Sequence, residues 1–403
     1  MSGRNIVLYD DAAARALEPF ALTRPSSEFR TGAVLLRERW ARVASGGIAG
    51  RVGAPHLASF DEPGAPRSLD GALAAGTVVA NARYAPMLGA SLGDADVWTA
   101  DGRVAAVRLG APLDAVALGD GTLALESLAP AGARTALVPG WWIDHPWDLI
   151  RHLGAMLASD IPAIGATVAT RSAGVLDGVQ LVGAHPVFIE DGAVVEPFVL
   201  LDAQLGPLLV RRGAQVQAFT RLVGPCFVGA DSTVHGGRVA GSAIGEQCRV
   251  HGEVSASVFF GRSNKAHDGF VGHSVVGCWS NLGAGTTTSN LKNSYGTVQM
   301  WTPGGTMDTG MQFLGALIGD HAKLAIGTLL MTGTVVGAGA CVFGAASPAK
   351  VVPPFSWGGG NSEVFALEKF LEVAERVQTR RSAPVTDGMT RVLAAAHQRR
   401  WTT

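Results

Sequence analysis

An apolar residue, nearly always aliphatic, recurs at every sixth position through much of the second half of the chain. Val210, Val216, Leu222, Val228 and Val234 hold one register, Phe270, Val276 and Leu282 a second, and Ile318, Leu324, Leu330, Val336 and Val342 a third. Several are followed directly by glycine, as in Val228-Gly229, Val276-Gly277, Leu282-Gly283, Ile318-Gly319 and Val336-Gly337. A step of six is not the period of a helix. A sandwich or barrel would instead alternate with period two and turn every 8–12 residues or so. The step fits a solenoid in which each six residues supply one short strand and a tight turn, three such units closing a triangular coil. The aliphatic side chain then points into the prism, and small residues take the corners where φ is unusual. The expected fold of residues 166–360 is a parallel β-helix.

Before residue 165 the beat is absent. Asn5 to Tyr9 and Thr77 to Ala80 read as buried strands, Gly32 to Val43 contains a helix-period stretch, and Trp147 to Leu157 is amphipathic. Strands mixed with helices predict an α/β domain over residues 1–165. Two to three domains also suit 403 residues at roughly 150 residues per domain. Ala163 to Asp177 is small and polar and reads as the link between the halves. In the tail, residues 361–403, Asn361 is a candidate cap for a helix whose Leu367, Phe370, Leu371, Ala374 and Val377 share one face. That helix reads as a lid on the solenoid end or a subunit contact.

Charge is balanced, 32 Lys+Arg against 33 Asp+Glu, so no nucleic-acid footprint is expected. No apolar run reaches the ~18 residues of a membrane span. The start, Met1 to Asn5, does not read as a signal peptide. Cys226, Cys248, Cys278 and Cys341 lack metal-ribbon or disulfide spacing. His235, His251, His267 and His273 fall in neighbouring coils, but no short ligand pair supports a closed metal site. A cytoplasmic protein without nucleic-acid or membrane partners is the expectation. Charged residues are only 16% of the chain, so much surface must be buried in regular structure or between subunits.

Two stretches interrupt the beat: Gly261 to Phe270, and Ser289 to Met311, the latter long enough for a protruding loop. Between them runs Asn281-Leu282-Gly283-Ala284-Gly285-Thr286-Thr287-Thr288-Ser289-Asn290. Together with Lys265-Ala266-His267, this run resembles the acetyltransferase domain of the bifunctional N-acetylglucosamine-1-phosphate uridylyltransferase/glucosamine-1-phosphate acetyltransferase family. Ser263 to Gly269, Ser289 to Asn293 and Phe355 to Gly359 look closer to an alternate bacterial branch of sugar nucleotidyltransferases. The resemblance implies a left-handed β-helix that associates as a homotrimer, and acetyl-CoA as co-substrate. It implies His267 as the general base that deprotonates a sugar amine, a task suited to an imidazole near neutral pH. Asn281 would hold the sugar, while Asn290 and the Ala284 backbone would meet the acetyl donor or the amine. The family's tyrosine three residues after the histidine is Phe270 here, and its phosphate-binding lysine falls on Ser255. Arg262, Lys265, Lys292 or Arg238 would have to supply that charge. Positions associated with coenzyme A fall near Ile326 and Gly344.

The same resemblance implies a Rossmann-like nucleotidyltransferase fold for the amino-terminal domain, joining a nucleoside triphosphate to a sugar 1-phosphate with Mg²⁺. Its phosphate loop would be Asp10-Asp11-Ala12-Ala13-Ala14-Arg15, followed by Thr23-Arg24-Pro25. The glycines expected there are replaced by two carboxylates, and Ser26 stands where a lysine would follow the proline. Arg15, Arg24, Arg30, Asn81 and Arg83 are the residues expected around the nucleotide, with Asp10 and Asp11 as Mg²⁺ contacts. Two other outcomes stay open: retention of only one activity, or a non-catalytic, sugar-nucleotide-binding trimeric scaffold.

Overall fold

A computed structural model describes residues 5–171, 176–359 and 363–401. Ile6–Tyr9 (β1), Ile48–Val52 (β2), Val78–Asn81 (β3), Val97–Ala100 (β4), Arg103–Arg108 (β5) and Thr135–Leu137 (β6) form one mixed sheet in the order β6-β4-β5-β3-β1-β2. β1 is parallel to both β2 and β3, whereas β5 runs antiparallel to β3 and β4. All residues of β1 and β3 are buried, as their apolar runs require of strands covered on both faces. Leu36–Ala44 (α1) buries Leu36, Trp40 and Val43 with Ile6 and Leu8 of β1. Because the chain leaves β1 for β2 and then crosses back to β3, a crevice opens beyond the carboxyl ends of β1 and β3.

The second half is a left-handed parallel β-helix with three faces. In chain order around each coil, the first face carries strands such as Leu208–Val210, the second Gln215–Val216 and the third Thr220–Val223. Val210, Val216, Leu222, Val228 and Val234 therefore occupy successive faces, and all are buried in one axial core. The beat weakens between residues 234 and 276 because the corners there are shorter. Inward positions fall at Val234, Val239, Ile244, Val250, Val254, Phe259, Lys265, Val271 and Val276. Phe270, expected inside, is displaced outward by its neighbour Val271, which is fully buried. At the corner between the first and second faces, Asp231, Gln247, Arg262, Trp279 and His321 all adopt left-handed φ of 55–63°. The Arg262 guanidinium lies 5.3 Å from the Trp279 ring centre, and that ring stacks on His321.

The two halves share a core. Leu209, Phe227, Val258, Phe260, Val275 and Leu317 project outward from the first face and form one buried cluster with Phe20, Phe29 and Leu153–Gly165 (α2). Phe260 lies 4.9 Å from Phe20 and 5.5 Å from Phe29, ring centre to ring centre. The stretch expected to be a polar link is in part the end of α2, and Thr170–Arg171 then joins the first face antiparallel to Val187–Glu190. The Ser289–Met311 interruption does not protrude freely. It folds into a hairpin, Gln299–Thr302 with Gly305–Asp308, that buries Val298 and Met300 in the shared core.

Among the described residues the tail holds two helices, not one. Asn361 lies outside the described residues, and Leu367–Thr379 (α3) starts after Ala366 without a side-chain cap. Phe370 of α3 packs edge-on against Phe355 of the last coils, as a lid would. Asp387–Gln398 (α4), capped by Thr386, buries Met389 and Val392 with Ala54, Leu57 and Phe60 of the α/β domain.

Burial pushes the Glu18 carboxyl up to about 7, with the Trp401 indole opposing the shift. The folded state thus holds a proton that the unfolded chain releases near pH 4.5, so stability falls as pH rises from 4.5 through 7. Glu18→Gln is expected to stabilise the protein at pH 8, by up to ~3 kcal/mol, and to be near neutral at pH 4.5. Urea denaturation at the two pH values checks this.

Candidate functional site

The second face presents one outward side chain per coil, immediately before each inward residue: Gln215, Thr233, Arg249, Asn264, Asn281 and Lys323. α3 runs beside this face, and the two enclose a groove of about 870 Å³ lined by Asn264, His267, Asn281, Lys323, Arg380 and Arg381 among others. Asn264 Nδ2 donates to Asn281 Oδ1 at 2.7 Å, fixing the Asn281 amide. His267 is exposed on the rim. It also borders a second depression of about 790 Å³, which runs along the next corner past Ala284, Gly285, Ile326 and Gly327. His267 therefore stands between Asn281 on one side and the Ala284 backbone on the other.

The remaining residues expected around His267 lie elsewhere. Asn290 sits at a different corner, where its Nδ2 is 2.9 Å from His273 Nδ1. Within one chain it does not join His267 and Asn281. Lys292 Nζ donates to the Thr297 carbonyl at 2.9 Å and braces its own loop. Lys265 is not offered to a ligand: it occupies an inward position otherwise held by Val or Leu. Its Nζ is satisfied by the carbonyls of His251, His267 and Asp268. Burial lowers the Lys265 ammonium to about 8. Its role is to pin the turn that carries His267. Arg262 lines the groove, but it also bonds Gln247 Oε1 and lies 3.5 Å from Glu62 of the α/β domain. Arg238 faces Glu253 on the third face. Among the described residues no cluster of three metal-ligating side chains occurs, histidines included.

In the α/β domain, a cavity of about 400 Å³ lies beyond β1 and β3 and is lined by Tyr9, Asp11, Asn81, Arg83, Arg103 and Trp142 among others. Asp11 Oδ1 accepts from Ala14 N and Arg83 Nε, both at 2.8 Å. Its Oδ2 accepts from Arg83 Nη2 at 2.8 Å and Asn81 Nδ2 at 2.9 Å. Despite burial, these donors hold the Asp11 carboxyl below its ordinary range. Arg83 and Arg103 both clamp Asp144, and Arg103 lies 3.9 Å over the Trp142 ring.

Asp10 and Asp11 do not fit a Mg²⁺ site. Both Asp11 oxygens are filled by protein donors, and Asp10 is buried with a hydrogen bond from Ser26. Burial pushes the Asp10 carboxyl up, toward its neutral form; Mg²⁺ demands charged oxygens and accessible water positions. Arg15 donates to the carbonyls of Asp10, Gly119 and Leu118, bracing the loop. Arg24 and Arg30 are absent from the cavity and are struts between the domains. Arg24 Nε bonds Asp320 at 2.7 Å and Nη2 lies 3.2 Å from Glu62, while Arg30 pairs with Glu246 and donates to the Phe260 carbonyl at 3.1 Å. Sequence reasoning missed Arg103, Asp144 and Trp142, which lie far along the chain from the loop they face. It also missed Arg249 and Lys323, which could have been found by reading one residue ahead of each inward position.

The fold and these two sites define a class: an α/β nucleotidyltransferase-type domain packed along a hexapeptide β-helix. Residues 6–167 match the family described as sugar nucleotidyl transferase. The chain is GlmU-like in its resemblance to curated proteins from several organisms. It is 34% identical over 91 residues to a "Bifunctional sugar-1-phosphate nucleotidylyltransferase/acetyltransferase" of Sulfurisphaera tokodaii, covering 23% of each chain. It is 30% identical over 165 residues to the "Bifunctional protein GlmU" of Jannaschia sp., covering 40% of this chain and 32% of that one. To the protein of the same name from Methanococcus vannielii it is 26% identical over 213 residues, covering 50% and 43%. The matches thus span less than half the length of these relatives. No helix among the described residues is long and apolar enough to cross a membrane.

Proposed function

We propose that residues 1–165 form a nucleoside diphosphate sugar from a nucleoside triphosphate and a sugar 1-phosphate. In the same reading, residues 166–360 transfer an acetyl group from acetyl-CoA to an amino-sugar phosphate, within a cytoplasmic homotrimer. The observation that carries the acyl transfer is the position of His267 between the Asn281 groove and the Ala284 depression. In this reading His267 accepts the proton of the sugar amine as nitrogen attacks the thioester carbonyl carbon. The C–N bond forms, the C–S bond breaks, and the proton passes to the departing thiolate. Asn281 orients the sugar, and backbone N–H groups near Ala284 stabilise charge on the carbonyl oxygen. For the α/β domain, support comes from the family match and from a cavity at the switch point of the sheet, where such folds bind ligands.

One observation favours a second reading, acyl transfer alone. Arg83 and Arg103, the cations lining the α/β cavity, are already neutralised by Asp11 and Asp144.

Two assays test the proposal. Glucosamine 1-phosphate with acetyl-CoA should release free thiol; N-acetylglucosamine 1-phosphate with UTP or dTTP and Mg²⁺ should release pyrophosphate. Thiol alone would establish the second reading. Silence in both would overturn transferase activity and leave a ligand-binding scaffold.

A further inference from the structure

The seam between the two halves encloses a cavity of about 250 Å³ that neither transferase reading uses. Four carboxylates line it, Glu28, Glu38 and Glu62 from the α/β domain and Glu246 from the solenoid, against the guanidiniums of Arg24, Arg37 and Arg262. Those guanidiniums are already committed. Arg24 pairs with Asp320 and Glu62, Arg37 with Glu28 and Glu38, and Arg262 with Gln247 and Glu62. Arg30 adds a fourth guanidinium, on Glu246. Counted with these partners, five carboxylates face four guanidiniums, one positive charge too few. Arg51, which also faces Glu28, is offset by Asp10.

The shortfall has a location. Glu28 is only 2% exposed; its Oε2 accepts from Arg37 Nε at 3.0 Å, while Oε1 has no hydrogen-bond partner. A buried acceptor without a donor marks a missing partner. Burial pushes the Glu28 carboxyl up, against the pull of Arg37 and Arg24 and with the help of Glu62, so a proton stands in for the absent charge. The carboxylates are too dispersed for a single metal ion: among the described residues no cluster of three metal-ligating side chains occurs. Leu35, Pro63 and Phe260 add an apolar wall, with an aromatic ring of the kind that attracts cations.

We infer that the cavity between Glu28, Glu62 and Glu246 is a binding site for a small organic cation, whose N–H donors supply the charge this network lacks. The cavity size limits the ligand to a short alkyl chain carrying one charged end. Ammonium and guanidinium groups share the required chemistry, and the experiment separates them. The inference rests on neither transferase reading.

Titration calorimetry of the full chain with ethylguanidinium chloride and, separately, with butylammonium chloride provides the test, with tetramethylammonium chloride as a cation that lacks N–H donors. At least one of the first two is expected to bind, and tetramethylammonium is not. Binding should be tighter at pH 8 than at pH 5, because the ligand replaces a proton on Glu28. Ethylguanidinium alone would assign a guanidinium ligand, butylammonium alone an ammonium one. Glu28→Gln cancels the missing charge at nearly constant shape; it is expected to bind at least tenfold more weakly without a lower melting temperature. Glu38→Gln, at an exposed position on the cavity wall, is expected to act in the same direction. Failure of both cations to bind, equal binding of tetramethylammonium, or affinity that falls from pH 5 to pH 8 overturns the inference. So does binding undiminished in folded Glu28→Gln or, if that variant does not fold, in Glu38→Gln.

Discussion

His267→Ala is expected to reduce thiol release from acetyl-CoA and glucosamine 1-phosphate by 10² to 10⁴-fold, roughly the contribution of a positioned general base. Pyrophosphate release by the α/β domain should stay within about twofold. The basis is separation: His267 lies on the rim of the solenoid groove, whereas the α/β cavity is bounded by the ends of β1 and β3 and by Arg103 and Trp142. His267 is exposed, so its removal leaves the axial core intact and the melting temperature should hardly move. His267→Gln, which keeps a hydrogen-bonding end but cannot serve as base at neutral pH, should be as inactive as His267→Ala. Steady-state kinetics on both reactions, with melting curves for each variant, check the prediction. Equal loss of both activities in a folded variant would refute the division of labour.

The second large effect is on stability. Arg24→Ala is expected to cost about 3 kcal/mol or more, because removing one partner of a buried pair strands the other charge. Asp320 is buried and also accepts from Thr23 Oγ1 at 3.0 Å and Cys278 N at 2.8 Å, so these donors soften the loss without replacing the cation. Arg24 further contacts Glu62, making it a node between the domains. A nucleotide-binding arginine would behave differently, raising KM for the triphosphate with little change in folding. Urea unfolding together with KM for UTP distinguishes the two, and the expected result is lost stability at unchanged KM.

This contrast shows where sequence reading succeeds and where it stops. The six-residue step reports a local requirement, one inward side chain per face, so the β-helix was legible from Val210 to Val234 without knowledge of any distant contact. It blurred where corners shortened, and Phe270 was placed inside although Val271 holds that position. Lys265 looked like a free cation because charge suggests solvent; only the coil geometry shows three carbonyls converging on its ammonium. His267 and Asn281 were found as neighbours because they belong to adjacent coils. Within one chain Asn290 lies apart from them because a face change follows Thr287–Thr288. Arg24 and Arg30 were assigned to the nucleotide since nothing local reveals that Asp320 and Glu246, about 300 and 200 residues away, are their partners. The Asp10-Asp11 pair suggested a metal, yet Arg83 and Asn81 already occupy the oxygens of Asp11.

The apolar strip shared by α2 and the first face also governs how this chain can be dissected. Cutting after residue 165 would bare Leu209, Phe227, Phe260 and Leu317 on one fragment and Phe20, Phe29 and Leu153 on the other. Each piece would carry a sticky, water-facing stripe of the sort that drives aggregation. Studies of the separate activities are therefore better served by point substitutions in the intact polypeptide than by truncation.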